Sequence, residues 1–144
     1  MRSLSILVLL IAALLRSPVL AQEQYTEGPV WRVLLVKAKP GKLTALMQDL
    51  RDNLVPVYEE EKKQGFLTDY KFYLNSTTEG PDDWTIAIGI QYKNYAALDG
   101  LTAKAQELTL KHYGTKEARQ AAADKRGEVG QLVGSRLMRE ITLK

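Results

Sequence analysis

The chain has 144 residues, no Cys, a single His, and 20 Lys+Arg against 17 Asp+Glu, a formal charge of +3. At this length one domain is expected. The missing cysteines exclude a disulfide framework, thiolate-bound zinc, iron–sulfur clusters and thiol nucleophiles, and a lone histidine, His112, excludes a multi-histidine metal centre within one chain.

Arg2 opens the chain, Leu4 to Leu15 is a 12-residue apolar run, and Val19-Leu20-Ala21 sets small residues ahead of Gln22. That order predicts a secretory signal peptide over residues 1–21 and export to a bacterial periplasm or beyond. A spanning helix needs about 20 apolar residues, and Arg16 ends the run before that. The segment contains Arg2 and Arg16 and no acid, so the remaining 123 residues carry 18 basic and 17 acidic side chains, a net +1. The basic balance therefore belongs to the signal. The rest gives no electrostatic reason to expect nucleic acid as a partner, and no further apolar stretch predicts contact with a membrane after cleavage.

Residues 22–29, with Gly28-Pro29, read as a flexible lead-in, and the domain proper as residues 30–144. Val30 to Ala38 is rich in β-branched and aromatic residues and predicts the first strand, ended by the turn Lys39-Pro40-Gly41. From Lys42 to Gln64 the apolar positions Leu43, Leu46, Met47, Leu50, Leu54, Val57 and Tyr58 form one stripe at helical spacing. Pro56 predicts a kink near Asp52. Glu59 and Lys63 predict an i,i+4 ion pair, and Gly65 a stop. Leu67 to Leu74 predicts the second strand, Asn75 to Asp83 a loop, and Trp84 to Tyr92 the third strand. On that third strand Trp84, Ile86, Ile88, Ile90 and Tyr92 share one face, and Thr85, Ala87, Gly89 and Gln91 the other.

Asn94 predicts a cap, Asp99-Gly100 a break after a first short turn, and the stripe Leu98, Leu101, Ala105, Leu108, His112 a helix ended by Gly114. Thr115 predicts the cap of a second helix reaching about Arg126. Gly127, Gly130 and Gly134 then read as a loop before a last strand, Ser135 to Leu143. The order is β-α-β-β-α-β with one extra helix before the last strand. This is an α+β, ferredoxin-like plan with an antiparallel sheet.

Both faces of the first strand are apolar: Trp31, Val33 and Leu35 on one, Val30, Leu34, Val36 and Ala38 on the other. Two helices cover only one face, and an antiparallel sheet with a wet face should alternate. A second copy is the simplest cover for the other, so a homodimer is expected. Together with this element order, the Pro40-Gly41 turn, the Val55-Pro56-Val57-Tyr58 segment and Gly65 resemble the dimeric α/β-barrel superfamily. That superfamily includes proteins similar to antibiotic-biosynthesis monooxygenases, haem-degrading oxygenases and stress-responsive barrel proteins. The resemblance covers Val30 to Leu143 and implies a fold and a dimer; no catalytic residue or haem ligand carries over on it.

Candidate pocket residues are Thr85, Gln91, Tyr70, Trp84 and His112. The small face of the third strand either lets a helix approach closely or leaves a cavity into which Thr85 and Gln91 project. Tyr70, Trp84 and the other aromatics either stack on a flat substrate or anchor the core and interface. His112 is either a general base or a polar residue suited to a helix C-terminus. Arg32 lies between Val30 and Leu34, with Glu140 on the last strand as its expected ion-pair partner. No metal site and no cofactor are expected. The function expected is binding of a small apolar or aromatic molecule. The alternatives are a cofactor-independent, monooxygenase-like oxidoreductase and a structural or interaction module.

Overall fold

The computed structural model describes residues 24–77 and 80–144. The expected signal segment, residues 1–21, lies outside the described residues. In chain order the elements are β1 (Tyr25–Ala38), α1 (Leu43–Asp49), a π-helical turn (Leu50–Leu54), α2 (Val55–Lys63), β2 (Asp69–Leu74), β3 (Ile86–Tyr92), a 3-10 turn (Tyr95–Leu98), α3 (Leu101–Tyr113), α4 (Lys116–Val129) and β4 (Gly130–Leu143). The strands form one antiparallel sheet in the order β2-β3-β1-β4. That is the split β-α-β plan, with α4 as the added helix.

Alternation along the strands decides which side of the sheet the helices cover. Val30, Leu34 and Val36 of β1 pair with Tyr92, Ile88 and Ile86 of β3. These residues join Leu46, Leu50, Tyr58 and Leu101 in the core. Leu46 is wholly buried. Among the described residues the opposite side carries no helix. Trp31, Val33 and Leu35 lie there half-buried, beside Tyr73 of β2 and Met138 of β4, which are 49% and 48% exposed.

The helix caps follow the sequence. Asn94 accepts from the Ala97 N–H at 3.1 Å, and Thr115 accepts from the Ala118 N–H at 3.1 Å. Each satisfies a donor that the first helical turn leaves free. Gly100 breaks the 3-10 turn from α3 with φ +66°, a conformation suited to glycine.

Elsewhere the structure departs from the sequence reading. The first strand begins at Tyr25, inside the stretch read as a lead-in, because Tyr25, Thr26 and Glu27 pair with Leu143, Thr142 and Ile141 beyond a bulge. Pro56 follows a π-helical turn over Leu50–Leu54. Its ring crowds the carbonyl of Asp52, and the helix answers by widening one turn, with the Val55 N–H donating to the Leu50 carbonyl five residues back. Glu59 accepts from the Tyr70 hydroxyl at 2.5 Å instead of pairing with Lys63, which lies 3.9 Å from Glu60.

The glycine-rich loop is also absent. Gly127 is helical, α4 runs to Val129, and β4 starts at Gly130. A Cβ at Gly130 would sit 3.0 Å from a Leu46 methyl, so glycine there lets α1 press onto the start of β4.

Candidate functional site

The apolar stripe of the first helical segment does not stop at Tyr58. The next position on it is Glu61, four residues beyond Val57 and three beyond Tyr58. All three are buried on the inner side of α2. Glu61 is only 7% exposed, and among the described residues its carboxyl makes no hydrogen bond and no ion pair, while its carbonyl accepts from the Phe66 N–H at 2.9 Å. Burial of such a carboxyl penalises its charged form.

Glu61 opens onto a cleft of about 420 Å³ between the helix-covered face of the sheet and helices α3 and α4. Leu34 and Ile90 reach it from the sheet, Leu98 from the 3-10 turn and Leu101 from α3. The polar groups are Arg32 from β1, Tyr92 from β3, and Tyr58 and Glu61 from α2, with Thr109 and Arg119 where α3 and α4 meet. Arg32 projects inward because β1 alternates Val30, Arg32, Leu34. Its guanidinium carbon lies 5.8 Å from the centre of the Tyr92 ring.

The electrostatics follow from this packing. Burial pushes the Glu61 carboxyl above its ordinary range. Burial, reinforced by Glu61 and Tyr92 and opposed by Arg126 and Arg32, holds the Tyr58 phenol far above the usual tyrosine value. Tyr92 is raised by burial, lowered by Arg32 and raised further by Glu61. Each phenol therefore feels both Arg32 and Glu61. Among the described residues neither Arg32 nor Arg119 has an ion-pair partner. Arg126, by contrast, is matched: it sits 2.5 Å from Asp49 and 3.5 Å from the Tyr113 hydroxyl. The cleft thus offers hydroxyl and guanidinium donors, a carboxyl inclined to keep its proton, and an apolar wall.

None of the five candidate residues from the sequence lines this cleft. Thr85 precedes β3, and its hydroxyl accepts from the Ala38 N–H at 3.0 Å, closing the end of the sheet. Gln91 lies on the helix-free side and accepts from the Thr68 hydroxyl at 2.7 Å. Tyr70 is nearest, its ring centre 5.3 Å from that of Tyr58, with its hydroxyl committed to Glu59. Burial first, then that bond, pushes Tyr70 up to about 12. Trp84 sits in the loop before β3, its N–H donating to Asp83. His112 is exposed near the end of α3, edge-on to Tyr113 at 4.8 Å, which fits the helix-terminus role.

Among the described residues the small face of β3 is packed by aromatic rings from the neighbouring strands. The Trp31 ring lies over Gly89, 3.3 Å from where a Cβ would stand, with Tyr73 at 3.6 Å. The expected Arg32–Glu140 pair does not form, because Glu140 accepts from the Trp31 indole N–H at 2.9 Å. Arg32 was visible in the sequence as a charge on a core-facing position. Glu61 was missed, although its place on the helical stripe was the available signal.

A second apolar feature lies at the β2 edge. Met47, Leu50, Phe72, Tyr73 and Leu74 line a groove of about 210 Å³ beside the π-helical turn.

No family model and no curated protein matches the chain. Among solved structures, a dimeric ferredoxin-like protein of unknown function from Jannaschia sp. CCS1 is similar at 13% identity and TM-score 0.45, covering 78% of this chain and 98% of that one. A candidate antibiotic biosynthesis monooxygenase from Caulobacter crescentus CB15 shows 17% identity and TM-score 0.43, over 83% of this chain and 92% of that one. A dimeric ferredoxin-like protein of unknown function from Bacteroides fragilis NCTC 9343 shows 14% identity and TM-score 0.42, over 83% and 100%. By its own strand order and pairing, this chain is a ferredoxin-like α+β protein with one added helix.

Proposed function

We propose that the chain is an exported, homodimeric protein that binds a small apolar or aromatic molecule in the cleft between the sheet and helices α3 and α4. One observation carries the binding reading: a cleft of about 420 Å³ that combines apolar lining residues with Arg32, Arg119 and Glu61, none of which has an ion-pair partner among the described residues. Ligand sites are commonly clefts of this size with convergent polar groups, and this one is lined by polar and apolar side chains in about equal share. The cleft gathers two phenols, a carboxyl and two guanidiniums but neither Trp31 nor Trp84, which favours binding over the oxidoreductase alternative.

The homodimer reading rests on the helix-free face, where Trp31, Val33, Leu35, Tyr73 and Met138 form an apolar surface, interrupted in the row of Val33 by Arg136 and by Lys71, which lies over the Trp31 ring. Tyr73 also lines the groove at the β2 edge, so the two apolar surfaces are continuous. Export rests on the pattern of residues 1–21.

A thermal-shift panel of small aromatic and apolar compounds tests the binding reading. At least one compound should raise Tm progressively with concentration, as ligand that binds only the folded state must. Ala105→Trp, which fills the cleft from α3, should abolish the shift. No shift across the panel, or a shift unaltered in Ala105→Trp, would refute the site.

A further inference from the structure

Charge in the cleft is unbalanced. Two guanidiniums, Arg32 and Arg119, face one carboxyl, Glu61, and none of the three has an ion-pair partner among the described residues. The sum is positive whether Glu61 is ionised or protonated. Arg32 stands on a central strand and is half-buried. A cation in that setting keeps its desolvation cost until an anion arrives. The phenols of Tyr58 and Tyr92, close enough to feel the charge on Arg32, add two hydroxyl donors. Beside these groups the lining is hydrocarbon at Leu34 and Ile90 of the sheet, Leu98 of the 3-10 turn and Leu101 of α3.

We propose that the cleft selects small monocarboxylates with an apolar or aromatic body, the carboxylate seated on Arg32 and the phenols of Tyr58 and Tyr92, and the body on the leucine and isoleucine wall. This rests on the binding reading above and names its ligand class. The planar guanidinium matches a carboxylate with two parallel hydrogen bonds, which an amide or an alcohol cannot accept as strongly. Arg119 at the α3–α4 end adds attraction at longer range.

The test compares three probes of one shape by calorimetry: 1-naphthoate, 1-naphthamide and 1-naphthylmethylamine. The acid should bind at least tenfold more tightly than the amide, and the amine least. Arg32→Met keeps the side chain's apolar stem and should bring the acid down to the affinity of the amide, leaving the amide nearly unchanged. At a pH where Glu61 is ionised, Glu61→Gln removes the one negative charge and should tighten the acid several-fold without affecting the amide. That gain is one a merely structural role for Glu61 would not give. Equal binding of acid and amide overturns the carboxylate assignment while leaving the binding site standing. A preference for acid that survives both Arg32→Met and Arg119→Met also overturns it. Failure of all three probes to bind, or binding unaltered in Ala105→Trp, counts against the cleft itself.

Discussion

A buried carboxyl without a partner makes the stability of this protein depend on pH in an unusual direction. Because burial raises the Glu61 pKa, the folded state holds that proton more tightly than the unfolded chain. Between the ordinary glutamate value and the raised one, the folded state binds more protons, so this residue's contribution to stability falls as pH rises through that window. Most paired carboxylates do the reverse. Replacing a buried, unpaired polar group with a hydrocarbon of similar length recovers roughly 1–3 kcal/mol. Glu61→Met should therefore raise Tm by several degrees at pH 7, and by clearly less at pH 4, where the wild-type carboxyl is already neutral. Calorimetric scans of both proteins at the two pH values check this. An equal gain at both would mean that the effect is packing and not charge.

Among the elements, α1 packs closely on the start of β4, at the point where α4 ends. Leu46 is fully buried against Gly130, with 3.0 Å between its methyl and the place a Cβ would occupy. Gly130→Val should cost about 1–3 kcal/mol by overpacking, and denaturant unfolding will show it as a lower midpoint at unchanged slope. The same junction shows why part of the fold was legible in the sequence and part was not. The periodicity of Leu43 to Tyr58 and the alternation of Ile86 to Tyr92 report burial directly, so α1, α2 and β3 could be read. Gly127, Gly130 and Gly134 carry no side chain and hence no periodicity. They read as a loop, although Gly130 is needed for a close approach that only the folded chain reveals. Glu61 was hidden in a related way, and Arg32, though noticed, was read as one half of a surface ion pair. Each occupies a position that alternation or helical spacing assigns to the interior, but polarity argued for the surface. Their meeting depends on a fold contact between residues far apart in the chain.

For the whole molecule the open question of packing lies on the helix-free face of the sheet. Leaving Trp31, Val33 and Leu35 uncovered forgoes stabilisation of about 25 cal/mol for each Å² of apolar surface, and a stable pair typically buries about 800 Å² per partner. We expect residues 22–144 to behave as a dimer in light scattering at micromolar concentration. Val33→Lys, a charge at the middle of that face, should give a folded monomer, its far-UV circular dichroism unchanged. A monomeric wild-type protein would remove the basis for the interface. The ligand cleft lies on the other side of the sheet, so the two surfaces are separable: the Val33→Lys monomer should keep its ligand response, while Ala105→Trp should keep its dimer.

The widened turn at Leu50–Leu54 acts as a phase shifter. Along an α-helix each residue advances the azimuth by about 100°. A turn that accommodates one additional residue therefore re-aims everything downstream of it without altering a single side chain. In a chain shorter by one residue within that turn, the same glutamate would leave α2 pointing roughly a quarter-turn away, towards water, as an ordinary surface acid. The electrostatic character of the cleft is in this sense counted out by the backbone before it is spelled by residue type. A length change of one between residues 50 and 54 would be expected to alter ligand preference more than many substitutions in the wall itself.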